Sequence, residues 1–228
     1  MECPRLLEAY IPIVNFIADI IGTHCEVVLH DVINPEESVI AIRNGYISGR
    51  SLGCPLTDLG LKLMTMEDHL VRDSVVNYGG KTVNGDLLIS STHYIRDEKG
   101  KLLGMLCVNI LSGYYSPVSA QSGTVSTGLR PIEPDPLTLA LKVAGAVIPN
   151  KESIQESFST SVDQVVVEAV KKLIVQCGVT IDRLSADEKN NIIQTLSEDG
   201  IFKVKGSVSK IASILGISES TVYRYLAK

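Results

Sequence analysis

The last twenty-two residues, SVSKIASILGISESTVYRYLAK, leave little choice of local fold. Val208, Ile211, Ala212 and Leu215 recur at three- and four-residue steps, which places them on one face of a helix. Gly216 then interrupts the pattern. A glycine there can take the left-handed backbone that ends a helix, which costs a residue with a Cβ about 1 kcal/mol or more. Ile217 follows as the plug of the turn, Ser218 is a good N-cap, and Val222 with Tyr225 or Leu226 gives a second helix its apolar face. Ala212 sits where the two helices cross, and a larger side chain there would force them apart. The spacing predicts a helix-turn-helix, in which the start of the second helix enters the major groove of double-stranded DNA. An αα-hairpin in a core is the plain alternative, but it does not call for Ala212, Gly216, Ile217, Ser218 and Val222 together. The expected DNA-facing residues are Ser207, Ser209, Lys210, Ser218, Glu219, Ser220, Thr221, Tyr223 and Arg224.

A formal charge of −5 looks wrong for a DNA binder until its distribution is read. From Lys203 onward five basic residues face one acidic residue, Glu219, so positive charge gathers around the reading segment. At 228 residues the chain is long for one domain and comfortable for two. Its five cysteines are odd in number and lack CxxC spacing, which excludes a disulfide framework and a zinc ribbon and points to a reducing, cytoplasmic location. The N-terminal apolar stretch carries Asn15 and Asp19 and is too short to span a bilayer, so no membrane partner is expected.

Along the chain, residues 5–22 read as one amphipathic helix, followed by strands CEVVLHDV and SVIAIRN around the turn Asn34-Pro35-Glu36-Glu37. A glycine-punctuated loop leads to a helix from Thr57, and a second helical stretch is expected between Glu67 and Tyr78. DLLISSTHYI and KLLGMLCVNIL then flank the hairpin turn Asp97-Glu98-Lys99-Gly100. These elements make residues 1–115 an α+β domain on an antiparallel sheet. Residues 116–160, rich in Ser, Gly, Thr and Pro with a short helix in LTLALKVAGAVI, read as a linker, and residues 161–228 as an all-α domain. Within the latter, Ser185 and Glu188 have the spacing of a capping box.

Four blocks carry a pattern beyond periodicity: LLEAYIPIVNFIADIIGTHCEVVLHDV, NGYISGRSLGCPLTDLGL, LLISSTHYIRDEKGKLLGMLCVNI and DEKNNIIQTLSEDGIFKVKGSVSKIASILGISESTVYRYL. Together they resemble a YheO-like PAS domain joined to a DauR-type helix-turn-helix. The resemblance spans roughly residues 6–112 and 161–227. It implies a PAS-like sensor, a dimeric bacterial transcriptional regulator, and repression of amino-acid catabolic genes. Such families often have Asn-Ile-Asp where this chain has Asn109-Ile110-Leu111, so no polar role carries over to position 111.

A PAS-like sheet binds small molecules on one face, and the hairpin register decides which side chains reach it. With a three-residue loop, Ser91, His93, Cys107 and Asn109 share a face; shifted by one, Ser90 and Thr92 replace Ser91 and His93. Asn109 beside Cys107 in an apolar strand reads either as a ligand contact or as an amide bonded to nearby backbone, since leaving it unpaired costs about 1 to 3 kcal/mol. His30-Asp31, at the end of a strand, reads either as a structural hydrogen-bonded pair or as pointing into the same pocket. Arg50, just before the helix that starts near Leu56, is placed to capture a carboxylate, as an amino-acid-like effector would require.

No HExxH, P-loop, GxSxG or GxGxxG occurs, so no enzyme, metal or cofactor is expected. A Cys107 nucleophile with His93, and redox sensing by Cys54 or Cys107, can be drawn but lack further support. Serine recombinases end in similar reading helices, yet Arg5, Arg43, Arg50, Arg72 and Arg96 are scattered rather than clustered for DNA chemistry. A PAS-like module that binds only protein partners is the remaining alternative to a small-molecule sensor.

Overall fold

The computed structural model describes residues 3–112 and 155–227. The chain opens with two helices, α1 (Cys3–Glu8) and α2 (Ile11–Ile21), where one helix was expected. Pro12 explains the break: in the first turn of α2 its missing N–H needs no partner, whereas inside a longer helix it would remove a hydrogen bond. Strands β1 (Cys25–Asp31), β2 (Val39–Arg43), β3 (Ser74–Lys81), β4 (Leu87–Arg96) and β5 (Leu102–Leu111) form an antiparallel sheet. A sixth strand, β6 (Gln155–Ser157), adds in parallel to β3, giving the order β2-β1-β5-β4-β3-β6. The expected α+β architecture on an antiparallel-dominated sheet is therefore present.

Each face of the sheet buries a different core. On one side Leu7 of α1 and Val14 and Ala18 of α2 pack against Val27, Leu29, Ile95, Leu106 and Ile110. On the other, Val28, Tyr78, Tyr94, Met105 and Cys107 lie beneath Leu59 and Leu63 of α3 (Asp58–Thr65). Thr57 caps α3 by accepting from the Gly60 amide.

Three departures from the sequence reading matter for function. The stretch from Glu67 to Tyr78 is a short 3-10 turn at Asp68–Leu70 followed by β3, because Val75 and Tyr78 pay off better as pleated side chains buried against β4 than on a helix. The hairpin keeps its turn, with the Asp97 amide donating to Lys101 O at 3.0 Å, but Arg96 pairs with Leu102 and Ile95 with Gly104. Leu103 is thus an extra residue, and this bulge reverses the faces beyond it. Finally, Gln155–Ser157 is a strand of the sheet, although it falls within the expected linker; residues 116–154, including the expected short helix, lie outside the described residues.

The C-terminal part is helical: α4 (Val162–Cys177), α5 (Ala186–Glu198), α6 (Ser207–Leu215) and α7 (Glu219–Leu226). Ser161 caps α4 and Gly178, at φ 68°, ends it, while the Ser185/Glu188 capping box starts α5 as its spacing requires. Val166, Val170, Ile193, Leu196, Ile211, Leu215 and Val222 make the core. Leu56 and Leu61 from the N-terminal half join that core, so the two halves share buried apolar surface. Polar contacts reinforce the seam: Lys172 of α4 pairs with Asp58, Lys62 with Asp199 at 2.8 Å, and the Lys205 amide donates to Glu36 at 2.7 Å.

Gly200 lies at this seam with φ 78°, and a Cβ there would run into the Thr65 hydroxyl on α3. Gly200→Ala is expected to destabilise the protein by about 2 kcal/mol, roughly half from the left-handed backbone and half from displacing Thr65. That corresponds to a fall of about 4 to 8 °C in a calorimetric melt; an unchanged melting temperature would show that the seam does not close as described.

Candidate nucleic-acid interface and buried polar site

The helix-turn-helix forms from the residues that predicted it. Gly216 adopts φ 63°, ψ 41°, and the Ile217 amide closes the turn on Ala212 O at 3.0 Å. Ser218 accepts from the Thr221 amide at 3.2 Å, and its hydroxyl also meets those of Ser220 and Thr221. Val222 and Tyr225 are buried against α6. Ser209, Ser218, Glu219, Ser220, Tyr223 and Arg224 are exposed on the outer side, with Thr221 and Lys210 half-buried. The Arg224 guanidinium lies 5.5 Å from the centroid of the Tyr225 ring, which limits its freedom before any partner arrives. Lys210 shares its charge with Asp163 of α4 at 3.5 Å.

Ser207 departs from the expected DNA face. Gly206, at φ 74°, turns the chain so that the first residue of α6 points inward, leaving Ser207 only 2% exposed. Its side chain is out of reach of a phosphate.

The second site lies on the α3 side of the sheet. The bulge at Leu103 brings Ser90 and Thr92 beside Cys107 and Asn109, and turns Ser91 and His93 to the opposite face. Ser91 there accepts from the Asn77 amide at 3.1 Å, and His93 is exposed. Of the five residues expected around a ligand, Arg50, Cys107 and Asn109 are gathered on one face and Ser91 and His93 are not.

Ser90 and Thr92 join the cluster as the shifted register allowed, and three residues that the sequence reading did not single out as ligand contacts complete it: Glu26, Tyr78 and Glu156. Glu26 accepts from the Ser48 hydroxyl at 2.5 Å and from Asn109 Nδ2 at 2.9 Å, so Asn109 is pinned with its carbonyl turned away from Glu26. Glu156 arrives on β6 and accepts from the Thr57 hydroxyl at 2.6 Å. Tyr78 bonds Thr92 at 2.8 Å, and Thr92 meets the Cys107 thiol at 3.2 Å. Arg50 donates to Pro55 O. A lone Glu26 in an apolar strand was a usable signal; Glu156, in a stretch rich in Ser and Thr, offered none.

Burial dominates the electrostatics. It raises the Glu26 carboxyl against the opposing hydrogen bonds from Ser48 and Asn109, and raises Glu156 to about 7 against the bond from Thr57. It also pushes the Cys107 thiol up to about 12, which suppresses the thiolate that a nucleophile or redox sensor needs. His30, bonded to Ser38 at 2.9 Å, is held well below its ordinary value by burial and by Arg50, so it is a neutral structural group. Among the described residues no three His, Cys, Asp or Glu side chains are placed to hold a metal, and no helix is long and apolar enough to cross a membrane.

Comparisons with known proteins agree with this two-part layout. Residues 1–120 match the model of a YheO-like PAS domain and residues 165–227 that of a helix-turn-helix domain. The chain is 33% identical over 226 residues to the uncharacterized protein YheO of Escherichia coli K12, covering 97% of this chain and 83% of YheO. An uncharacterized protein of Haemophilus influenzae is 30% identical, over 99% of this chain and 91% of its own length. The transcriptional regulator DauR of Pseudomonas aeruginosa is 26% identical, over 96% and 92% respectively. Both matched domains are regulatory rather than catalytic, and the chain belongs to the family that joins a YheO-like PAS domain to a helix-turn-helix DNA-binding domain.

Proposed function

We propose that this protein is a cytoplasmic transcriptional repressor that binds DNA as a homodimer and responds to a small, amino-acid-like effector in its PAS-like domain. The observation that carries the reading is the capped, exposed helix α7, joined through one continuous core to the sensor's α3. Similarity to DauR, named a transcriptional regulator, supports the regulatory role. Arg50, buried with its Nε unpartnered, supports recognition of an anionic group.

The dimer follows from affinity. One reading helix with a single arginine makes too few phosphate and base contacts for specific binding, and two copies must present their helices about 34 Å apart. Ile13, Phe16 and Ile20 form an exposed apolar stripe on α2, on the side away from the sheet, which suits a second copy. The apolar face of α4, by contrast, is already consumed in the helical core.

Genome-wide DNA occupancy, measured with and without individual amino acids in the medium, tests the reading. Discrete binding sites that empty with one amino acid are expected. Occupancy that never changes would remove the sensor, and the absence of discrete sites would remove the regulator.

A further inference from the structure

We infer that the buried polar cluster of Arg50, Ser90, Asn109 and Glu156 binds a small ligand through a protonated amine, and that Glu156 on β6 relays its presence to α4. The inference rests on the sensor reading above and specifies its site.

Four buried polar atoms in this region lack a hydrogen-bond partner: Arg50 Nε, Ser90 Oγ, Asn109 Oδ1 and Glu156 Oε2. Their residues are at most 5% exposed. Each such atom is costly by itself, and native interiors leave only a few of them per hundred residues, so four in one neighbourhood call for an explanation. They belong to one neighbourhood. Ser90 pairs across the sheet with Asn109 and with Tyr78, and Glu156 pairs with Gly80 two residues beyond Tyr78. Gly80 itself marks how close these groups come, since a Cβ there would meet Phe158 at 2.7 Å and Ser90 Oγ at 2.9 Å.

The chemistry of the four atoms selects the ligand. Asn109 is pinned by Glu26, so only its carbonyl oxygen is offered, and Glu156 offers its second carboxylate oxygen. With Ser90 Oγ these make three acceptors, and an ammonium carries three N–H donors. Arg50 Nε remains to donate to an acceptor elsewhere on the same molecule.

The relay is short. Glu156 Oε1 holds the Thr57 hydroxyl, and Thr57 is the cap of α3. The next residue on each side of this contact repeats it: the Ser157 amide of β6 donates to Asp58 of α3, which pairs with Lys172 of α4. After Ser157 the chain passes through Phe158 to Ser161, the cap of α4. A ligand that draws on Glu156 therefore acts on the contacts that seat α4, and through α4 on α6, which packs against it.

Thermal-shift and calorimetric titrations of the full chain test this, using free amino acids, their decarboxylated amines, and the matching carboxylic acids without an amine. At about a hundredfold excess over Kd, at least one amine is expected to raise the melting temperature by about 5 °C or more, and no amine-free acid to do so. Asn109→Leu and Glu156→Gln, verified as folded by circular dichroism, should each weaken amine binding at least tenfold. Thr57→Val should leave amine binding in place but abolish its effect on affinity for operator DNA. If an amine-free compound gives the shift through Arg50, the amine assignment is overturned and the sensor reading stands. If no compound of any class changes melting or DNA occupancy, and an ordered water bridges the four atoms, both are overturned. Retention of the DNA response in Thr57→Val would overturn the relay.

Discussion

Glu156→Gln should melt well above the wild-type protein at pH 8 and almost together with it at pH 4.5. The folded-state carboxyl titrates near 7 instead of its ordinary 4.5, because burial disfavours the charge. A raised value means that the folded form holds its proton more tightly than the unfolded chain. The associated stability is fully present below about pH 4.5 and is lost as pH rises through about 7. The loss, about 2.5 pH units of differential proton binding, amounts to about 3 kcal/mol. Glutamine keeps an oxygen that can accept from Thr57 and never ionises, so the variant escapes this penalty at high pH. A gain of roughly 6 to 12 °C at pH 8 is expected for a chain of this size. Glu26 is displaced in the same direction, so the variant should keep a shallower slope of the same sign. Melting curves at half-unit pH steps decide the matter: parallel pH profiles for the two proteins would mean that Glu156 is solvated, and the buried site would lose one wall.

The parts of this fold that could be read from the sequence are those set by local spacing. Ala212, Gly216, Ile217, Ser218 and Val222 each act within one turn of their neighbours, and all appear where the pattern requires. The Ser185/Glu188 box is local in the same sense. The buried polar site depends on pairings between distant segments, and there local pattern runs out. A single extra residue, Leu103, exchanges Ser91 and His93 for Ser90 and Thr92, and nothing in the alternation of either strand announces it. Strand β6 is three residues long and gains its place from β3, not from its own composition. Glu156 was hidden with it. The inward turn of Ser207 belongs to the same class, because the left-handed angle at Gly206, and not the helical period of α6, aims its side chain.

Arg224→Ala should abolish tight operator binding while leaving the fold intact. Arg224 is exposed and lies over the Tyr225 ring, and surface changes of this kind usually shift stability by less than about 0.5 kcal/mol. The effect on DNA is larger. One arginine contact to a base or phosphate contributes about 1 to 3 kcal/mol, and the dimer proposed above would lose it at both half-sites. The sum, about 2 to 6 kcal/mol, is a loss of about 30-fold to 10⁴-fold in affinity. Fluorescence anisotropy with operator DNA at two salt concentrations separates the cases. If Arg224 meets phosphate, the salt slope should fall by about one per copy, whereas a base contact should leave the slope and erase discrimination between operator and random DNA. A loss confined to about tenfold would indicate that only one copy engages at a time, and an unchanged affinity would place the reading surface elsewhere than on α7. Tyr223 offers a control on the same helix: it is exposed beside Arg224 but uncharged, so Tyr223→Phe should not alter the salt slope.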